Sequence, residues 1–363
     1  MKIARMQLIN FKCLPDVTFE FGNLNILAGA NGCGKSSCIH SLLLLRQSYE
    51  QYRNLDKLLL CGKYINLGSA KDLLYEHAGK DEGISYRIFN EKNEKLELSY
   101  EYVPENRILH ILEHKNSNLI NLNFFKDGFE YLSAERIVPQ TTYSSISQDD
   151  LLGSHGENAL NFLEKYGATF KVDKIFQDET KNEYLLYYIN KWMERIFQGF
   201  RLQLSPIAEA DAVGLRYTEK SRDRVSNSYR AINVGFGITY VLPILVALLK
   251  AKKNDLILIE NPEAHLHPKA QRIIGELLSK AASIGAQIIV ETHSDHILNG
   301  IRISAKNKII RSADVKLFFF MKEDVGTKYH TNIYSPQMDN EGNIDIWPEG
   351  FFDEWDNALT QLF

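Results

Sequence analysis

The stretch Gly29-Ala30-Asn31-Gly32-Cys33-Gly34-Lys35-Ser36 has the spacing G-x-x-x-x-G-K-[ST], and each residue type in it has a chemical use. Glycines let a backbone wrap an anion and turn its N–H groups inward. A helix N-terminus behind them adds a partial positive charge. Lys35 brings a full charge for the β- and γ-phosphates of a nucleotide, and the Ser36 hydroxyl is an oxygen ligand suited to Mg²⁺. Asn31, Gly32, Cys33, Gly34, Lys35, Ser36 and Ser37 are therefore the expected phosphate-contacting residues.

Three later stretches add to this chemistry. Leu256-Ile257-Leu258-Ile259 is an apolar run delivering Glu260, with Asn261, Pro262 and Glu263 behind it. One carboxylate at such a strand edge can hold the Mg²⁺ shell while another orients an attacking water. Ile289-Val290-Glu291-Thr292-His293 is a second strand edge, carrying a histidine. Asn233-Val234-Gly235-Phe236-Gly237 precedes a helix expected to begin near Ile238. His265, His267, His293 and His296 invite a zinc reading, but His265-Leu266-His267 lacks common zinc spacing and there is no HExxH, so a histidine metal centre is not expected.

Several elements must position these residues. Leu24 to Ala28 reads as a buried strand before the glycine loop, and Ser37 to Leu45 as a helix after it. Lys2 to Phe21 alternates as strands do, with Met6, Leu8, Phe11, Val17, Phe19 and Phe21 on the buried face. Asn10-Phe11-Lys12 falls at the turn between two strands, and two readings stand: Lys12 beside a nucleotide base, or a plain surface hairpin. Residues 50–80 show no clear order. Stretches beginning at Ile84, Leu96, Ile108 and Leu119 read as an antiparallel sheet. Tyr131 to Pro139 reads as a strand end followed by a loop, and residues 157–200 read as helical, with Leu160, Leu163, Leu185, Tyr188, Ile189, Trp192 and Ile196 at helical spacing. Leu256–Glu260 and Ala286–Glu291, with a helix from Pro268 to Ile284 between them, form a βαβ unit. Thr331–Ser335 and Ile344–Trp347 suggest a terminal hairpin around Asn340-Glu341-Gly342-Asn343.

Composition narrows the possible functions. With 363 residues, 44% hydrophobic and 24% charged, the chain is of ordinary globular type, and a formal charge of -4 argues against a uniformly basic nucleic-acid binder. A local basic stretch remains: Arg216, Lys220, Arg222, Arg224 and Arg230 stand against Glu219 and Asp223. It reads either as a solvated loop or as a nucleic-acid or partner contact. Cys13, Cys33, Cys38 and Cys61 form no CxxC pair. With no signal-peptide core after Met1, and the longest apolar run, Tyr240 to Leu249, about half a membrane span, a cytoplasmic protein without a membrane partner is expected.

Taken in order, the motifs resemble the ABC-type ATPases of the SMC and RecF group, and more closely the bacterial AAA proteins related to the OLD family. The shared features are the N-terminal phosphate loop, the acidic strand followed by His265-Leu266-His267-Pro268, and Glu291-Thr292-His293-Ser294. Gly342 to Glu354 looks like the tail of an uncharacterised subgroup of these ATPases. The resemblance implies an α/β P-loop NTPase with an ABC-type head: a mixed sheet with a parallel core, an antiparallel β-subdomain and a helical insertion. The expected organisation is an N-terminal lobe over 1–130, a mostly helical insertion over 131–230 and a C-terminal lobe over 231–363. It further implies ATP and Mg²⁺ as cofactors, hydrolysis of ATP, and a pair of subunits enclosing two nucleotides. Gly235, Phe236 and Gly237 would be the glycine signature facing the other subunit's nucleotide, His293 the histidine at the γ-phosphate, and Ser36 and Glu260 the metal ligands.

Three departures qualify that picture. The family often has two adjacent acids where this chain has Glu260 and Asn261, and an amide cannot accept the proton. Either Glu263 takes over as base, or turnover is slow and ATP mainly holds a closed dimer. No glutamine follows a convincing strand between residues 50 and 80, and the interval from Ser36 to Asn233 is too short for long coiled-coil arms. The expected function is an oligomeric ATPase acting in bacterial antiviral defence or DNA transactions through a separate effector, such as a nuclease. Fewer than seventy residues follow His296, too few for the nuclease domain of OLD proteins. The competing expectation is a nucleotide-switched interaction scaffold with negligible hydrolysis.

Overall fold

The computed structural model describes residues 1–79, 82–115, 122–145, 151–220, 226–324, 329–352 and 359–362. In chain order the elements begin with β1 (Ile3–Phe11), β2 (Leu14–Glu20), β3 (Leu24–Gly29), α1 (Lys35–Tyr52), β4 (Lys57–Leu59), β5 (Ile84–Asn90), β6 (Lys95–Tyr100) and β7 (Ile108–Lys115). Next come β8 (Phe129–Leu132), β9 (Thr142–Ser144), α2 (Ala159–Tyr166), α3 (Leu185–Phe197), β10 (Phe200–Ile207), β11 (Ala212–Glu219), β12 (Tyr229–Arg230) and α4 (Phe236–Leu249). The chain closes with β13 (Leu256–Glu260), α5 (Pro268–Ser283), β14 (Gln287–Glu291), α6 (Asp295–Lys306), β15 (Val315–Asp324) and β16 (Tyr329–Tyr334). They divide into two compact units, the first made of Met1–Phe129, Ala313–Asp339 and Ile344–Phe363, the second of Glu130–Ser312 and Asn340–Asn343.

In the first unit an antiparallel sheet runs in the order β2-β1-β5-β6-β7-β4. β1 buries Ile3, Met6, Leu8 and Phe11, so its inward parity changes twice. The first change coincides with a register shift between Ile3 and Arg5 against β5, the second with Asn10 at φ 58°; a bulge or a left-handed residue re-aims the side chains that follow. Val17, expected inside, is only half-buried. In this unit too, β3 lies parallel to β15, and β16 returns antiparallel to β15. All but the last residue of β3 are buried, as in a strand covered on both faces.

The expected terminal hairpin takes a different form. Tyr329–Tyr334 pairs with Val315–Asp324, whereas Ile344 makes one isolated bridge to Met338 and Ile346 is 60% exposed. Of the strand expected from Leu119, residues 119–121 lie outside the described residues, and Asn123–Phe125 is a 3-10 turn. Its Phe124 and Phe125 are buried, and Phe125 packs on the Tyr49 ring at 4.5 Å.

In the second unit β13 and β14 are parallel, with Glu260 opposite Glu291, and β8 flanks β13. α5 connects the two parallel strands as expected, starting at Pro268 with His267 as its N-cap. The helical stretch expected over 157–200 is two helices. Between them lie a 3-10 turn at Lys174–Phe176 capped by Asp173, and Lys181 at φ 59°, neither of which continues an α-helix. The expected aromatic and aliphatic stripe is nevertheless buried, from Leu160 to Ile196. Residues 200–230 hold strands: β10 and β11 pair from Phe200↔Glu219 to Ile207↔Ala212, and β9 and β12 flank β11. The basic stretch therefore begins in β11 and ends in β12, while Arg222 and Arg224 lie outside the described residues.

Candidate functional site

In the first unit, β3 ends at Gly29 and α1 begins at Lys35, and the loop between them turns through left-handed glycines: φ is 137° at Gly29, 76° at Gly32 and 96° at Gly34. Gly29 also lies against the Phe320 carbonyl, 2.3 Å from where a Cβ would stand, so any side chain there would force β3 from β15. A Cβ on Gly32 would meet nothing within 4 Å. Gly34 is the N-cap of α1 and provides no side-chain cap, so the glycine turn meets the partially positive N-terminus of an 18-residue helix directly. Lys35 arches back across the loop, with Nζ donating to the Gly29 carbonyl at 3.0 Å and the Ala30 carbonyl at 2.7 Å. Asn31 and Gly32 are exposed, Cys33 and Ser37 buried, and Ser36 half-buried. The donor set fits a phosphate group: a helix N-terminus behind a glycine turn, one ammonium and a hydroxyl at the helix start.

The turn after β1 supports this loop. Cys13 Sγ would stand 2.3 Å from a Cβ on Gly34 and lies 3.8 Å from Ser37 Oγ. Lys12, at φ 52°, directs Nζ to His40 Nδ1 at 3.0 Å. Burial lowers the pKa of both, and the Lys12 ammonium adds to the effect on His40, which falls from 6.5 to about 4. His40 is thus a neutral acceptor that fixes Lys12. The expectation that Lys12 touches nucleotide was read from the turn alone; the support of Gly34 by Cys13 was not foreseen.

The second unit holds the acidic and histidine edges. Glu260 is buried, and its carboxylate accepts the Tyr131 hydroxyl at 3.1 Å and the Ala134 N–H at 3.2 Å. Burial raises its pKa above the usual carboxylate range, while Tyr131, Ala134 and the Arg136 guanidinium oppose that shift. Asn261 follows at φ 44°, a left-handed conformation that asparagine tolerates better than most residues. Its N–H continues the ladder to the Glu291 carbonyl at 2.8 Å.

Glu263 does not stand open. One oxygen accepts the Thr292 hydroxyl at 2.8 Å and the other the His293 N–H at 2.7 Å, so it joins the ends of β13 and β14. The His293 side chain is exposed. His267 is a capping residue, its Nδ1 accepting the Lys269 N–H at 3.3 Å, and His265 packs against Tyr240 and Phe236. Among the described residues no group of three or more His, Cys, Asp or Glu could hold a metal ion.

The glycine pair before α4 divides into two roles. A Cβ on Gly237 would meet the His265 carbonyl at 2.4 Å, so that glycine is required by packing inside the unit. A Cβ on Gly235 would meet nothing within 4 Å, and Phe236 beside it is 53% exposed. No described helix is long and apolar enough to cross a membrane.

Comparison with known proteins converges with this geometry. Residues 24–299 match the family described as "AAA domain, putative AbiEii toxin, Type IV TA system". The chain belongs to this AAA domain family. Residues 310–362 match a family of proteins of unknown function, DUF3696. The chain is 29% identical over 151 residues to the Old nuclease of Escherichia phage P2, covering 41% of this chain and 24% of that protein. It is 21% identical over 355 residues to the OLD nuclease of Thermus scotoductus, covering 89% of this chain and 65% of that protein. It thus spans less than two thirds of either relative. The fold is that of an SMC-type head: the head domain with an extended coiled coil bound to the C-terminal domain of ScpA from Pyrococcus furiosus matches with a TM-score of 0.52 at 14% identity, over 99% of each chain. An Smc head bound to the C-terminal winged-helix domain of ScpA matches with a TM-score of 0.52 at 16% identity, over 93% of this chain and 98% of that one. At the level of the family, this AAA domain is an α/β ATPase head of ABC type.

Tyr131, Ala134, Arg136, Thr292 and Tyr240 were missed as site residues. For the first three the sequence signal was the form of Tyr131–Arg136, a buried strand giving way to a polar loop, as at Glu260; Thr292 lay inside the quoted Glu291-Thr292-His293-Ser294.

Proposed function

We propose that the chain is an ATP-binding, slowly hydrolysing ATPase that self-associates around nucleotide and regulates a separate effector. The observation that carries this reading is the left-handed glycine turn leading directly into the N-terminus of α1, with the Lys35 ammonium across it. Backbone N–H groups of Asn31 to Ser37 and the Lys35 ammonium bind the phosphates. The Ser36 hydroxyl and the Glu260 carboxylate supply oxygen ligands for Mg²⁺, whose charge, when bound, screens the phosphates. His293 is the candidate histidine for a γ-phosphate, and Gly235, Phe236 and Gly237 meet the nucleotide held by a second copy. The open space at Gly235 and the exposure of Phe236 support that role.

Slow turnover is favoured by two facts. The Asn261 amide takes no proton, and both oxygens of Glu263 already accept hydrogen bonds. The same facts favour the second reading, a nucleotide switch whose product is assembly. The names of the relatives motivate a nuclease among the candidate effectors, and the reading places the system in antiviral defence or DNA transactions in the cytoplasm. Arg216 and Arg230 would contribute to any nucleic-acid contact.

Mass measurement with and without ATP and Mg²⁺, alongside phosphate release, tests the reading. ATP-dependent assembly with slow release is expected; assembly without release selects the switch. A protein that neither binds ATP nor assembles would sink both, and DNA cleavage by the purified chain alone would remove the separate nuclease.

A further inference from the structure

We propose that Arg136 is a positioning residue that ties the first turns of α4, where the glycine signature lies, to the acidic end of β13; this rests on the ATPase reading above. Arg136 is 5% exposed, and a buried guanidinium is costly unless its donors are met. It is spent on backbone: Nη1 donates to the Asn261 carbonyl at 3.2 Å and Nη2 to the Glu260 carbonyl. Its face lies on the Tyr240 ring, 4.9 Å from the centroid. The Tyr240 hydroxyl in turn donates to the Ala134 carbonyl, and the Ala134 N–H holds the Glu260 carboxylate.

A closed circuit results, from Tyr240 in α4 through Ala134 and Arg136 to Glu260 and Asn261. It has a second arm at the start of the helix, where Gly237 abuts the His265 carbonyl and Phe236 and Tyr240 contact the His265 ring. A planar fork on two consecutive carbonyls transmits displacement instead of absorbing it. A residue selected for stability alone would also be better satisfied. Arg136 Nε and Asn261 Oδ1 are both buried without a hydrogen-bond partner among the described residues, which costs stability. Unmet groups of this sort gather where function overrides packing.

The test compares wild type with Arg136→Lys and Tyr240→Phe, measuring affinity for a fluorescent ATP analogue, kcat, KM, ATP-dependent mass and thermal unfolding. Arg136→Lys keeps a charge but loses the fork. It is expected to bind nucleotide within about threefold of wild type, with KM unchanged and kcat down about tenfold or more, and with less ATP-dependent assembly. Tyr240→Phe keeps the ring beneath Arg136 and loses only the hydroxyl on Ala134, so kcat should fall about threefold. A loss of kcat with KM preserved is not what general loosening would give. Wild-type kcat and assembly in Arg136→Lys would overturn the proposal; should that variant fail to fold, wild-type kcat in Tyr240→Phe would do so. Wild type with neither turnover nor assembly brings down the ATPase reading itself, and the proposal with it.

Discussion

Glu263 holds His293 by the backbone: one carboxylate oxygen accepts the His293 N–H at 2.7 Å while the other accepts the Thr292 hydroxyl at 2.8 Å. Glutamine can make both contacts, since its carbonyl accepts from His293 and its amide can donate to the Thr292 hydroxyl. Glu263→Gln should therefore keep turnover within about threefold of wild type. Glu263→Ala strands two groups and should destabilise the unit by about 1–3 kcal/mol. Phosphate release and thermal unfolding separate these outcomes, and loss of all turnover in Glu263→Gln would make Glu263 the base after all.

On the proposed reading, Asn261 occupies the position where a second acid would take the proton from water. Asn261→Glu should raise turnover by about tenfold or more, since positioned general bases contribute about 10²–10⁴. The gain has a cost, because residue 261 sits at φ 44°. A left-handed glutamate is less favourable by about 1–2 kcal/mol, which lowers the melting temperature by about 2–8 °C. Unchanged phosphate release from a folded Asn261→Glu protein would contradict the account of slow hydrolysis.

Lys35→Ala removes the ammonium that spans the loop. A charged hydrogen bond is worth about 1.5–3 kcal/mol, so ATP affinity should drop by about 10- to 100-fold, read by titration with a fluorescent analogue. Affinity within twofold of wild type would mean that the loop is not where nucleotide binds.

His40 predicts an acid-labile loop support. Its folded pKa of about 4 lies below the ordinary 6.5, so between these values the unfolded chain binds more protons than the fold. Stability is full above about pH 6.5 and falls as pH drops, by at most about 3 kcal/mol once below 4. His40→Gln keeps an acceptor for Lys12 and does not titrate. Denaturant unfolding at pH 4 and pH 7 should show wild type losing more stability than the variant; equal losses would contradict the assignment.

The parts of this architecture that announce themselves in the sequence are local. The glycine loop, the all-apolar β13 and β14, and Pro268 opening α5 each combine residue type with spacing over a few positions. Arg136 was silent because its partners Glu260 and Asn261 lie 124 and 125 positions away, and no periodicity reports such a contact. The β10–β11 hairpin was missed because β10 buries only Leu202, so it lacks an alternating apolar face. The double change of parity in β1 arises from a bulge and a left-handed Asn10, which pattern reading does not anticipate. The terminal hairpin was misassigned because β16 takes an earlier partner, β15, in place of the nearby Ile344–Trp347.

The bonds from Lys35 to the Gly29 and Ala30 carbonyls bear on how any null control is interpreted. A substitution at this residue empties the grip and at the same time unfastens the curve of backbone that shapes it. Two alleles at position 35 that bind equally poorly can therefore differ in every behaviour that depends on the contour of the loop. Gly32 offers no cleaner control: space is open there, but φ is 76°, so any L side chain would strain the same turn.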